Sequence, residues 1–529
     1  MTTHRLARLS RDPFTPVLRI RLPRQQEAPL IAGLVSALVM WFAWGSLSPR
    51  PIVEDEVSYV LQSRIFASGH WAVPSPPAPE FFHQSQMITV PAVASKFPPG
   101  HALLMSLGSL VGAPALVPLL LTALTGALLF ALVRRVANPW VALLACLIWL
   151  SDPIELELRP GYFSEVTSGA MWMIALWALL EWREHRRTRW LLALAAAIGW
   201  GAVTRPLTIL AFAVPVGVLV VWDVARTHRW RDFALAVMLG CAVLAIIPLW
   251  SAMTTGDWRL TPQTLYTRDY LPYDKPGFGL DTTPPALALS PVTRFTYIGF
   301  RDQHVRHTPA NVPSIAWERL GVIAHDEWSG PRLALLPFAV IGLFAMNASV
   351  GFALACSVAL FAGYLAYGHW AHWTIYYLEA LPVLSVIAAL GIWTVVERSR
   401  RGRGRESFIG VAGPFAIAAV ALTLLAGYEA VAWRDNHRRN ARWDAAFHEL
   451  LDKVPVRSAV IFVHYAPRLG PHLDVVENSP HLFADSTWIV NDLGPRDAEL
   501  LRYAGGRVPL AFYERDMHIE IDRALAGPR

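Results

Sequence analysis

Apolar residues are gathered along the chain into runs of about twenty, each long enough at 1.5 Å per helical residue to cross a hydrocarbon core about 30 Å thick. The runs fall at 29–48, 114–133, 138–152, 162–182, 190–204, 207–222, 233–252, 331–346, 349–367, 378–396 and 408–431. The pattern predicts an α-helical polytopic membrane protein with about 11 transmembrane helices. The short apolar segment 99–112 is read as part of an outer loop, because counting it as a span would put Arg134 and Arg135 on the wrong side. Arginines in the first 28 residues, at Arg134, in "REHRRTR" from Arg183, in "RTHRWR" from Arg226 and in "ERSRRGRGR" from Glu397 then share one face. By the positive-inside rule that face is the cytoplasm.

This division predicts a cytoplasmic basic tail (1–28), a membrane domain (29–432) with outer loops at about 49–113 and 253–330, and an extracytoplasmic domain (433–529). In the last part "SAVIFVHY", "STWIVND" and "RVPLAFY" read as short strands and "PRDAELLRYAG" as a helix, which predicts a small C-terminal α/β domain. The loop 253–330 is rich in turn formers and aromatic residues, and loops of that length tend to be lids or binding loops.

Composition agrees with a membrane protein. Of 529 residues 54% are hydrophobic and only 16% charged, against roughly 25% charged in soluble domains. The net charge of +6 comes from the loop clusters, so it is a topology signal and not a nucleic-acid footprint. Cys146, Cys241 and Cys356 lie inside apolar runs and read as small core residues, not disulfides, catalysts or metal ligands. No Walker loop and no dinucleotide fingerprint is present, so nucleotide-driven pumping has no support. High Arg, Ala, Pro and Trp usage fits a bacterial source with GC-rich DNA.

The stretch "EDEVSYVLQSRIFASGHW", Glu54 to Trp71, follows the first span directly. Val57, Val60, Leu61 and Ile65 recur at helical spacing, which predicts a helix lying on the membrane surface with its apolar side down. Glu54, Asp55 and Glu56 sit at its amino end, where the helix dipole tolerates negative charge. Caps of this kind are ordinary, but Lys96 and "FPPG" follow in the same loop. A carboxylate base with a cation nearby, beside a lipid interface, suits attack by an acceptor on a lipid-linked phosphosugar. Arg64, nine residues after Asp55, falls on the opposite side of a continuous helix, whereas Tyr59 shares the Asp55 face.

Asp55-Glu56, Tyr59, Arg64, "ASGHWAVP" and "KFPPG" together resemble the first outer loop of the C-class (GT-C) integral-membrane glycosyltransferases, in particular the bacterial relatives of protein O-mannosyltransferases and the lipid A aminoarabinose transferases. "LSDP", "YFSE", "GAVTRP" and "YYLEALPVL" also resemble that superfamily. The resemblance implies an inverting transfer of a sugar from a polyprenyl-phosphate donor to a glycan, lipid or protein acceptor of the cell envelope, on the outer face of the cytoplasmic membrane. It implies Asp55 as general base with Glu56 supporting the loop, and Lys96 on the donor phosphate. Glu54 turns the acidic pair into a triplet, so the base is Asp55 or Glu56. Phe97 stands between Lys96 and the prolines, where the aminoarabinose transferases have Lys-Pro directly.

Further candidates for substrate binding are Glu165 at the outer end of a span, Arg205 at a helix break, and Tyr376 in a group with His369, His372 and Glu379. No cofactor is expected and no metal site is assigned, with dependence on a divalent ion left open: His369 and His372 could be metal ligands but lack a fixed carboxylate spacing, and an aromatic belt explains Trp370, Trp373, Tyr376 and Tyr377 as well. "HDE" at His325–Glu327 reads as solvated loop, and "RDQHVRHTP" from Arg301 as either exposed loop or a donor contact. The rival reading is a transporter or flippase of lipid-linked sugars, which calls for broken helices and charges at mid-membrane. Here the charges gather at the outer ends.

Overall fold

The computed structural model describes residues 27–47, 49–401, 409–454, 456–466, 474–522 and 525. The expected basic tail, apart from its last two residues, and part of the "ERSRRGRGR" loop lie outside the described residues. Among the described residues each of the eleven apolar runs contains helix, with ends that differ from the expected ones. Six helices among the described residues are long and apolar enough to cross a membrane, against about 11 expected: Glu27–Trp44, Leu116–Val136, Pro206–Thr227, Trp230–Thr255, Pro382–Ser399 and Gly413–Asn440. A further pair, Pro309–Trp328 and Gly330–Ala345, passes the same test together but is bent by 97°. The helix Ile409–Asn440 runs eight residues beyond the expected boundary at 432 before the outer domain begins.

Local sequence accounts for the breaks that later matter. Pro206 cannot continue the helix Thr188–Thr204 but suits the first turn of the next, so the chain kinks at Arg205 with φ −139° and ψ 84°. In "LSDP" the Asp152 carboxylate accepts the amides of Ile154 (2.9 Å) and Glu155 (3.4 Å) and caps the short helix Pro153–Leu158.

Burial corrects the surface-helix expectation for the first loop. Ten of the 14 residues of the helix Glu54–Ala67 are buried, Gln62 and Ser63 among them, and only Arg64 is exposed. The helix is enclosed because the loop folds over it. A three-stranded antiparallel sheet, Val73–Pro74, Ala92–Ser95 and Met87–Ile88, lies to one side, and Gln62 accepts the Ser95 amide at 2.8 Å. The helix Gly100–Ser109 lies to another, with the Ser63 and Ser109 hydroxyls 2.7 Å apart.

The C-terminal domain, called the outer domain after its expected side, has the expected strands. Its sheet runs Thr487–Asn491, Ala459–His464, Val508–Tyr513, His518–Ile521 in space, the first three parallel and the last antiparallel. It clamps the first loop. Phe81 and Phe82 enter its core beside Val460, Phe462 and Trp488, and Asn491 donates to the carbonyls of Phe81 (3.2 Å) and His83 (2.8 Å). Asp474 accepts the Ser85 amide at 2.7 Å.

"HDE" is not solvated throughout. Glu327 is buried and accepts from Arg332 at 2.7 Å, within a buried network that also holds Asp152, Glu155 and Arg159. Arg332 further donates to the Ile148 carbonyl (2.9 Å) and the Ser151 hydroxyl (2.8 Å), so this network ties the capped turn at Asp152 to the bent helix pair. Cys146 and Cys356 are buried, whereas Cys241 is exposed on the outer face of its helix; all three are free thiols.

Candidate active site

The acidic triplet resolves into three environments. Glu56 is buried, and both its oxygens are taken by main-chain amides: Oε2 by Ile52 (3.0 Å) and Val53 (3.2 Å), Oε1 by Tyr162 (2.8 Å). The Val53 bond is the backward half of a capping box. Glu54 is buried toward the outer domain, where its charge acts on Asp474 and Tyr465. Asp55 is half-buried, and its charge acts on Tyr59, Glu165 and Tyr376. Of the three, Asp55 is the one whose charge acts on these residues of the polar centre.

That centre is assembled from four distant segments. Arg205, freed by the helix break, pairs with Glu165 and with Glu379 (3.3 Å) and donates to the Tyr364 hydroxyl at 3.1 Å. Its guanidinium lies 5.7 Å from the centre of the Tyr376 ring. Ser164 and Thr208 add contacts at 3.3 and 3.2 Å, and Ser168 donates to Glu379. Tyr59 lies beside this cluster, bonded to Ser164, stacked on Phe97 (4.8 Å) and edge-on to His101 (4.9 Å). Burial holds the Tyr59 hydroxyl well above its usual range, with the Glu165 and Asp55 charges adding to the effect, so it is a neutral hydrogen-bonding group.

Lys96 is linked to Tyr376 through Asp274 and Tyr367. It is 7% exposed, 3.4 Å from Asp274, and stands over the rings of Tyr266 (4.9 Å) and Phe97 (5.1 Å). Asp274 in turn accepts the Tyr367 hydroxyl at 2.6 Å. Phe97 is thus both the second ring under the ammonium and the platform for Tyr59, which accounts for its insertion before the prolines.

Of the residues singled out by sequence, Asp55, Tyr59, Lys96, Glu165, Arg205 and Tyr376 converge here. Glu56 supports from behind. Arg64 does not take part: it is exposed and pairs with Glu477 of the outer domain at 3.2 Å. His369 bonds to the Tyr377 hydroxyl (3.1 Å) and the Trp370 carbonyl (2.8 Å), and among the described residues no group of three or more His, Cys, Asp or Glu is placed to hold a metal. Asp274, Tyr364 and Tyr367 went unread. The one signal for Asp274 was the turn-rich character of its loop.

Superposition on solved structures decides the architecture. ArnT from Cupriavidus metallidurans in its apo state matches over 95% of this chain and 99% of its own, with TM-score 0.59 and 14% identity. The same protein bound to undecaprenyl phosphate matches over 94% and 99%, with TM-score 0.56 and 14% identity. The chain has the C-class glycosyltransferase fold. A family described as dolichyl-phosphate-mannose-protein mannosyltransferase matches residues 96–251, a stretch that begins at Lys96 and contains Glu165 and Arg205. No curated protein matches the sequence significantly. In this C-class fold the first loop, clamped by the C-terminal sheet, and the Arg205 break border the polar centre.

Proposed function

We propose that this protein transfers a sugar from a polyprenyl-phosphate donor to an acceptor of the cell envelope at the outer face of the cytoplasmic membrane, with inversion at the anomeric carbon. Asp55 takes the proton from the acceptor hydroxyl or amine. The acceptor atom bonds to the anomeric carbon as the bond from that carbon to the phosphate oxygen breaks, and polyprenyl phosphate leaves with both electrons of that bond. Lys96 and Arg205 hold the phosphate and offset the charge it gains, and Tyr59 and Tyr376 line the space between base and cations.

The observation that carries this reading is that the Asp55 charge acts on Tyr59, Glu165 and Tyr376, which border the buried Arg205, while the neighbouring Glu56 is committed to three main-chain amides. An apolar cavity of about 330 Å³ supports a lipid-linked donor: it is lined by Leu132, Trp172, Leu176 and Phe352, and it has Glu379 in its wall. The test is turnover of a panel of polyprenyl-phosphate sugars by purified protein in lipid. Asp55→Asn should abolish transfer while donor binding persists; transfer at the wild-type rate would remove Asp55 as the base.

A further inference from the structure

We infer that Arg319 is a positioning residue for phosphate recognition, acting through Tyr364 and Tyr367; the inference rests on the function proposed above. Arg319 is 1% exposed and projects from the helix Val312–Trp328. Its guanidinium donates to three carbonyls of a single turn: Tyr364 at 2.7 Å, Tyr367 at 2.9 Å and His369 at 3.2 Å.

The helix Ala348–Tyr364 ends at that turn, where the last carbonyls have no partner within the helix. Main-chain bonds close the turn from Leu365 to Ala362 (3.2 Å), Ala366 to Gly363 (3.2 Å) and Tyr367 to Tyr364 (3.1 Å), and the Leu365 and Ala366 carbonyls are met by His307 (3.0 Å) and the Gly277 amide (2.7 Å). A planar fork with several fixed donors sets the path of such a turn in a way that a single donor cannot. Bonds from a charged donor are also the stronger kind in a buried setting.

The side chains presented by this turn contact Arg205 directly and Lys96 through its carboxylate partner Asp274. Tyr364 binds Arg205 and also meets the Thr208 hydroxyl at 2.7 Å, while Tyr367 binds Asp274, the partner of Lys96. The rings of Tyr364, Tyr367 and His369 pack on Tyr376 at 4.9, 5.6 and 4.6 Å. One buried guanidinium outside the pocket thereby sets the spacing of Arg205 and Lys96.

Binding of undecaprenyl phosphate to purified protein tests this in a cycle of variants: wild type, Arg319→Met, Arg319→Lys, the pair Tyr364→Phe with Tyr367→Phe, and the triple variant. Arg319→Met should weaken binding by about tenfold and Arg319→Lys by less, since lysine keeps the charge and part of the donor set. In the double-Phe background the same Arg319 change should cost under about twofold, because the relay is already cut. If Arg319→Met does not fold, the cycle is read with Arg319→Lys. Wild-type affinity in the folded Arg319 variants, or an Arg319 effect undiminished in the double-Phe background, overturns the positioning role alone. Wild type that fails to bind the lipid overturns this role and the proposed function together.

Discussion

The Glu56 carboxylate accepts the main-chain amide of Tyr162 at 2.8 Å, across 106 positions of sequence. That bond joins the start of the first-loop helix to the segment leading into the helix Glu165–His185. It also separates the two carboxylates that sequence alone left interchangeable. Glu56→Gln would turn one charged acceptor into a donor facing an amide, leaving at least one buried N–H unsatisfied at a cost of about 1–3 kcal/mol. The expected result is a lower melting temperature with part of the turnover retained in the molecules that remain folded. Asp55→Asn should show the reverse, an unchanged melting temperature with turnover reduced by about 10²–10⁴. Thermal unfolding and steady-state transfer, measured on the same preparations, separate the two residues.

Arg205 is one cation between two buried carboxylates, Glu165 and Glu379. Removing it by Arg205→Met strands both of them and should destabilise by about 3–5 kcal/mol. Adding Glu165→Gln should restore part of that stability, because one stranded charge is gone. It should not restore binding of undecaprenyl phosphate, which needs the guanidinium itself. Recovery of binding in the double variant would show that Arg205 only balances charge.

These relationships mark the limits of what the sequence shows. The mostly helical, membrane-type character was legible because span length and hydropathy are local properties, and the strands of the C-terminal domain because they alternate with turn residues. The acidic triplet was legible as a site, but which carboxylate faces the pocket depended on the 162 segment folding behind Glu56. The first-loop helix was misplaced on the membrane surface because its polar residues Ser58, Gln62 and Ser63 find partners in the loop and in the helix Gly100–Ser109, which no periodicity announces. Asp274 and Lys96 are 178 positions apart, and neither has a local pattern that names the other.

That pair makes its own prediction. On the proposed function Lys96 is shared between Asp274, 3.4 Å away, and the donor phosphate, so the carboxylate would compete with the ligand. Lys96→Met should weaken binding of undecaprenyl phosphate by about tenfold or more, the loss of one charge-assisted contact. Asp274→Asn should instead tighten it, since asparagine still accepts the Tyr367 hydroxyl while the competing charge is gone. Equilibrium binding measured in lipid reads both signs, and weaker binding by Asp274→Asn would mean that Asp274 orients Lys96 more than it competes for it.

The clasp between the first loop and the outer domain should respond to pH through Asp474. This carboxyl accepts the Ser85 and Val476 amides (2.7 and 3.0 Å) and the Tyr465 hydroxyl (3.1 Å), yet burial pushes it up to about 7, with the nearby Glu54 charge adding to the shift. An acid whose folded value lies above its free value near 4 binds more protons folded than unfolded between those limits. Its contribution to stability is therefore full below about pH 4 and declines as pH rises through about 7. Hydrogen exchange of the 81–86 segment, followed from pH 5 to pH 8, should show protection from opening fall as pH rises. Because His83, pushed down to about 3 by burial, works in the opposite sense on the same segment, the comparison that isolates Asp474 is the Asp474→Asn variant. It should lose this falling component, and an unchanged pH profile in that variant would remove Asp474 as the source. Glu54→Gln should lower the Asp474 value and move the decline toward acid, carrying the clasp's response back to the residue next to the proposed base.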